Sequence, residues 1–80
     1  MTYKEFRESG LWKDNGWWIV TLAKNPEKPN EELFVEVLMW EASNYKWYHP
    51  TPMYGREEIG YTDEVYEKED NLKIVHIRPL

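Results

Sequence analysis

Hydrophobic and polar positions change their period several times along the chain, and each change marks a different element. Tyr3 and Phe6 lie three residues apart among polar neighbours, the spacing of one helical face. Thr2-x-x-Glu5 before them fits a capping box, and Gly10 stands where a left-handed residue would end the helix. A helix over residues 3–9 is predicted, docked through Tyr3, Phe6 and Leu11. Seven residues are too few to persist alone, so packing must hold it.

After the turn residues Asp14-Asn15-Gly16, the run Trp17–Ala23 is aromatic and β-branched, suited to a pleated strand. Trp18, Val20 and Leu22 share one face, and Trp17 and Ile19 begin the other. Since both faces are apolar, an interior strand is expected. Residues 25–30, with two prolines, read as a loop. In the next run Leu33, Val35, Val37 and Met39 are uniformly apolar, while Phe34, Glu36, Leu38 and Trp40 are mixed. Alternation therefore assigns the odd positions to the core. Ala42-Ser43-Asn44 and the strand Tyr45–His49 complete a hairpin.

Pro50-Thr51-Pro52 reads as the end of that strand, and residues 50–60 as a loop. Tyr61–Lys68 fits either an edge strand, from Tyr61, Asp63 and Val65, or a helical turn capped by Thr62; the strand is the preferred reading. Asp70-Asn71 reads as a turn before a last strand, Leu72–Ile77, ended by Pro79. Connections this short forbid parallel crossovers. The expected fold is thus α+β, a single domain over residues 1–80. A short N-terminal helix precedes a curled, mostly antiparallel sheet of four or five strands, or a small open barrel.

Composition sharpens this in two ways. Eighty residues without cysteine have neither disulfides nor thiolate zinc to compensate for a small core. Five Trp, six Tyr and two Phe can enlarge that core, each burying roughly 150–250 Å². The net charge of −5 is also uneven. Residues 57–70 hold seven acids and one base, a local −6, leaving +1 for the rest of the chain (−5 less −6). Such a segment repels duplex DNA and attracts basic surfaces.

No catalytic pattern emerges. Ser9 and Ser43 lie in no nucleophile elbow, and His49 and His76 have no metal-ligand spacing, so no catalytic residue, metal or cofactor is expected. Glu36 and Glu41, or Glu57 and Glu58, could pair as in a glycosidase, but a chain this short lacks the walls of a substrate cleft. The polar N-terminus and the absence of a long apolar run point to a cytoplasmic protein with no membrane contact.

The distinctive feature is aromatic. Neighbours on a strand face opposite ways, so Trp17 and Trp18 cannot both enter one core, nor can Trp47 and Tyr48. Part of the aromatic set must therefore lie off the main core. Trp40, Tyr45, Trp47, Tyr48 and Tyr54, with Glu57, Glu58, Glu64 and Glu67 beside them, are the candidate contact residues for a protein with a basic-edged surface. The expected function is a small non-enzymatic binding module, inhibitory in one variant through carboxylates that occupy a nucleic-acid site.

One alternative is an aromatic groove for ligands or peptides: Trp17-Trp18 is similar to the tryptophan pair of SH3 domains, although the Ala-Leu-Tyr-Asp-Tyr-type motif is missing. Another is a homodimer of structural role that buries the aromatic face. Single-stranded nucleic acid is disfavoured because only Lys46 and Arg56 lie among the rings. A short, acidic, tryptophan-rich chain resembles small phage-encoded proteins in composition, a resemblance that implies interference with a host protein.

Overall fold

A computed structural model describes residues 1–24, 33–51, 55–67 and 70–80. Helix α1 spans Tyr3–Ser9 and is followed by a single 3-10 turn, Leu11–Lys13. Six strands follow: β1 Gly16–Ala23, β2 Leu33–Glu41, β3 Lys46–Thr51, β4 Gly55–Tyr61, β5 Glu64–Glu67 and β6 Asp70–Pro79. Each pairs antiparallel with the next, and β6 returns to β1 to close a barrel. No helix among the described residues is long and apolar enough to cross a membrane.

The helix forms where the capping box places it. Glu5 N–H donates to Thr2 Oγ1 at 3.2 Å, Thr2 N–H donates to Glu5 Oε1 at 2.9 Å, and Gly10 adopts φ 80°. Leu11, however, is exposed and does not dock. Trp12 packs in its place, because the 3-10 turn rotates the next side chain toward the barrel.

Two bulges help the sheet close. Val75 is the extra residue where β6 passes β1, and Ile59 where β4 passes β3. A bulge bends its strand and increases local twist, which a barrel of short strands requires. At the β4–β5 crossing Gly60 is indispensable. A Cβ there would lie 2.4 Å from the Glu64 carbonyl oxygen and 2.8 Å from Val65 Cα.

The core is built around one phenylalanine. Phe6 enters the helix end of the barrel and meets Trp18, Trp40 and Trp47 at ring-centroid distances of 5.2, 5.5 and 5.9 Å. Val20, Leu22, Leu38, Val65, Leu72 and Ile77 fill the interior beyond it. The two fully buried indoles keep their N–H groups satisfied: Trp40 Nε1 donates to the Trp12 carbonyl and Trp47 Nε1 to that of Thr62, each at 2.7 Å. A buried indole needs such a partner, and both lie in turns flanking the barrel mouth.

Several expectations are corrected. Among the described residues there are six strands, because residues 55–60, expected as loop, belong to β4 together with Tyr61. Pro50 lies within β3 and does not end it, and Asp70-Asn71 begin β6 instead of turning. On β2 the predicted face is inverted: Leu38 and Trp40 are buried, whereas Leu33, Val35 and Val37 are exposed. β1 is interior in its hydrogen bonding, but its Trp17 face is open. The loop expected at 25–30 lies outside the described residues.

Candidate functional site

The candidate aromatics divide by depth. Trp40 and Trp47 are core residues with no exposed surface, so neither can meet a partner. β3 runs Trp47 inward and Tyr48 outward, and Tyr48 is half-buried beside Met39 of β2. Likewise Trp18 turns inward and Trp17 outward. The alternation argument thus separates both pairs. Tyr45 sits in the β2–β3 turn at φ 56°, an uncommon angle for a residue with a Cβ. Its ring stacks on Trp12 at 5.5 Å, and its carbonyl accepts the Thr62 amide at 3.0 Å, which together hold the turn. The Arg7 guanidinium lies 3.9 Å over the Trp12 ring, a cation–π contact that pins the helix to this turn. Tyr54 and the side chain of Glu67 lie outside the described residues.

The acids divide too. Glu57 and Glu58 project from β4, exposed, and Glu64 is half-buried on β5. Glu58 accepts a hydrogen bond from Lys46 at 3.0 Å, a contact that holds the Lys46 ammonium above its ordinary pKa. Glu64 pairs with Lys73 of β6. Two of the four candidate carboxylates are therefore engaged within the domain and serve partly to join neighbouring strands.

The other polar candidates do not assemble. His49 faces Glu36 at 3.4 Å at the barrel end away from the helix, while His76 on β6 contacts the Met1 amine at 3.0 Å. Glu41 is buried and accepts a hydrogen bond from Asn44 in its own turn. Among the described residues no three His, Asp or Glu side chains gather to hold a metal ion.

What the structure does assemble is an apolar outer surface on β1 and β2. The register sets Trp17 beside Met39, Ile19 beside Val37 and Thr21 beside Val35, all facing away from the core. Trp17 is 44% exposed, Val37 40%, Leu33 50% and Val35 61%. Tyr48 extends this surface on one side; Arg78 and His76 of β6, opposite Ile19 and Thr21, border it on the other. Only Trp17 could have been singled out from sequence, by its adjacency to Trp18. The β2 residues were missed because their uniform apolarity marked them as core.

No protein family matches the chain, and no curated protein or solved structure is significantly similar to it.

Proposed function

We propose that this protein is a small non-enzymatic binding module whose contact surface is the outer face of β1 and β2. The observation that supports this reading is that the face is apolar and uncovered, although the barrel already has a filled core and a docked helix. Contiguous exposed apolar surface of this kind marks interaction sites. Trp17 is the anchor, the residue type most enriched at interface centres. Glu58, level with the outward-facing Tyr48, gives the face an acidic margin. A partner with a hydrophobic patch edged by Lys or Arg fits that margin, and the Glu58 carboxylate would raise the association rate.

The experiment compares binding by the wild-type protein with that of Trp17→Lys and of Tyr61→Lys, the latter an exposed aromatic on β4. Partners captured by the wild type are lost with Trp17→Lys and retained with Tyr61→Lys. The reverse pattern, or equal loss from both, refutes this face as the contact surface. Glu58→Gln should weaken capture at low salt and leave it unchanged at high salt.

A further inference from the structure

The helix end of the barrel holds a second group of polar and aromatic side chains, apart from the β1–β2 face. Tyr3 and Arg7 lie four residues apart on α1 and so project from one side of it. The 3-10 turn contributes Trp12, the β2–β3 turn Tyr45, and the β4–β5 turn Thr62 and Asp63, with Tyr61 at its border. Contacts between these elements bring the residues to one mouth. The Tyr3 and Tyr45 rings both pack on Trp40, at 6.5 and 6.4 Å, while Trp12 stacks on Tyr45 and the Tyr45 carbonyl accepts the Thr62 amide.

Arg7 is the anomaly of this group. Its guanidinium carbon lies 3.9 Å from the Trp12 ring centroid and 5.1 Å from that of Tyr45. Ring contacts cover the flat face of a guanidinium, but its N–H groups point outward in its plane and need acceptors. Nη1 is closed off from solvent without one, and among the described residues Arg7 forms no hydrogen bond or ion pair. Lys4, Lys46 and Lys73, by contrast, each contact a glutamate. A partly buried cation left without an anion, in a chain of net charge −5, marks a missing partner.

The surroundings select the kind of anion. Burial holds the Tyr3 phenol above its ordinary pKa of 10.0, so its O–H remains a donor in neutral solution. Arg7 favours the ionised phenol, whereas Asp63, Tyr45 and Tyr61 disfavour it, so these four groups all act at the same hydroxyl. Asp63, whose carboxylate accepts the Thr62 hydroxyl at 3.2 Å, places one negative charge at this mouth. A dianion is repelled there about twice as strongly as a monoanion. Tyr45 and Tyr61 are 37% and 49% exposed, which leaves ring surface open next to the charge.

We propose that this mouth binds an organic carboxylate, its oxygens on the open N–H groups of Arg7 and its apolar body on the Tyr45 and Tyr61 rings. The planar guanidinium fork matches a carboxylate in geometry. Trp12 fixes the plane of that fork, which removes rotamer freedom that an unsupported arginine would lose on binding. Tyr3, one helical turn before Arg7, brings a hydroxyl donor to the same group. The site is separate from the proposed binding face, since Trp17, Val35 and Val37 take no part in it.

The probes are benzoate, acetate and sulfate, titrated into the full chain at constant ionic strength just below neutral pH. The readouts are the Arg7 Nε–H and Trp12 Nε1–H resonances in nitrogen–proton correlation spectra. Benzoate should saturate with a Kd on the order of 1–10 mM, acetate should bind about tenfold more weakly, and sulfate should shift neither resonance below ~50 mM. Arg7→Gln should abolish the benzoate response with its far-UV spectrum intact. Tyr61→Ser should weaken benzoate toward acetate and leave acetate unchanged, so it decides the matter if the Arg7 variant fails to fold. Trp17→Lys should bind benzoate like the wild type while losing partner capture, which separates this site from the proposed function. A wild-type response still unsaturated at roughly 100 mM benzoate would mean that Arg7 only pins the helix, and overturns the proposal. So does benzoate binding that survives in folded Arg7→Gln, or sulfate binding as tight as that of benzoate.

Discussion

Trp47 and Trp17 offer a direct measure of how the aromatic set is divided. Trp47 has no exposed surface, touches Trp40 and Phe6, and donates its indole N–H to the Thr62 carbonyl at 2.7 Å. Trp47→Phe keeps a ring in the core but removes that donor, leaving a carbonyl without its indole partner at about 1–3 kcal/mol. The smaller ring also leaves a void worth roughly 1–2 kcal/mol more. Together these make about 2–5 kcal/mol, a large share of the ~4–12 kcal/mol expected for a domain of this length. Trp17→Phe removes atoms from a ring that is already 44% exposed and should cost less than about 1 kcal/mol. Urea titrations followed by far-UV circular dichroism measure the difference. With a slope near 1–1.5 kcal/mol/M, the Trp47 variant shifts its midpoint by roughly 1.3–5 M and the Trp17 variant by less than about 1 M. Equal shifts, or a larger one for Trp17, would refute the assignment of Trp47 to the interior and Trp17 to the surface.

Two further outcomes follow from local geometry. Gly60→Ala should destabilise by about 2 kcal/mol or more in the same titration, because its Cβ meets β5 backbone that cannot move aside; Gly10→Ala, at φ 80° but with open space around it, should lose about 1 kcal/mol. The carboxyl of Glu5 is held below its ordinary 4.5 by the Thr2 amide and then by the Thr2 hydroxyl. Its contribution is present above that value and is lost as pH falls through the lowered one. Melting temperature should therefore fall more steeply below pH 4.5 in the wild type than in Glu5→Gln, which retains an acceptor without titrating. Parallel profiles would show that the capping box does not couple to stability.

Elements with a local signal were legible in the sequence. The helix was bounded by Thr2, Glu5 and Gly10, whose roles depend on neighbours within one turn. β1 and the β2–β3 hairpin were carried by β-branched and aromatic runs. β4 was not visible, because Gly-Arg-Glu-Glu-Ile-Gly-Tyr has strand period but loop composition. It is a strand because β3 and β5 offer it backbone partners, and its glycine is selected by a close crossing that no local pattern records. The proline at 50 misled for a related reason: on a strand paired with β4 alone at that height, a missing donor on the open side is tolerated.

The inverted face of β2 shows why the candidate site moved. Binary patterning equates the more apolar face with the interior, which holds when a strand has one covered and one solvated side. In β2 the interior demands little: Leu38 and Trp40 reach the core, Phe34 and Glu36 line the open end, and the register is set by the pairing of Leu38 with Trp18. A one-residue slip would carry Leu33, Val35, Val37 and Met39 inward, but would expel Trp40 from its packing against Phe6 and from its bond to the Trp12 carbonyl. Four aliphatic side chains are thus kept outside by one tryptophan that must be inside. Their apolarity is not required by the packing of the interior, and it is what the proposed binding face would use.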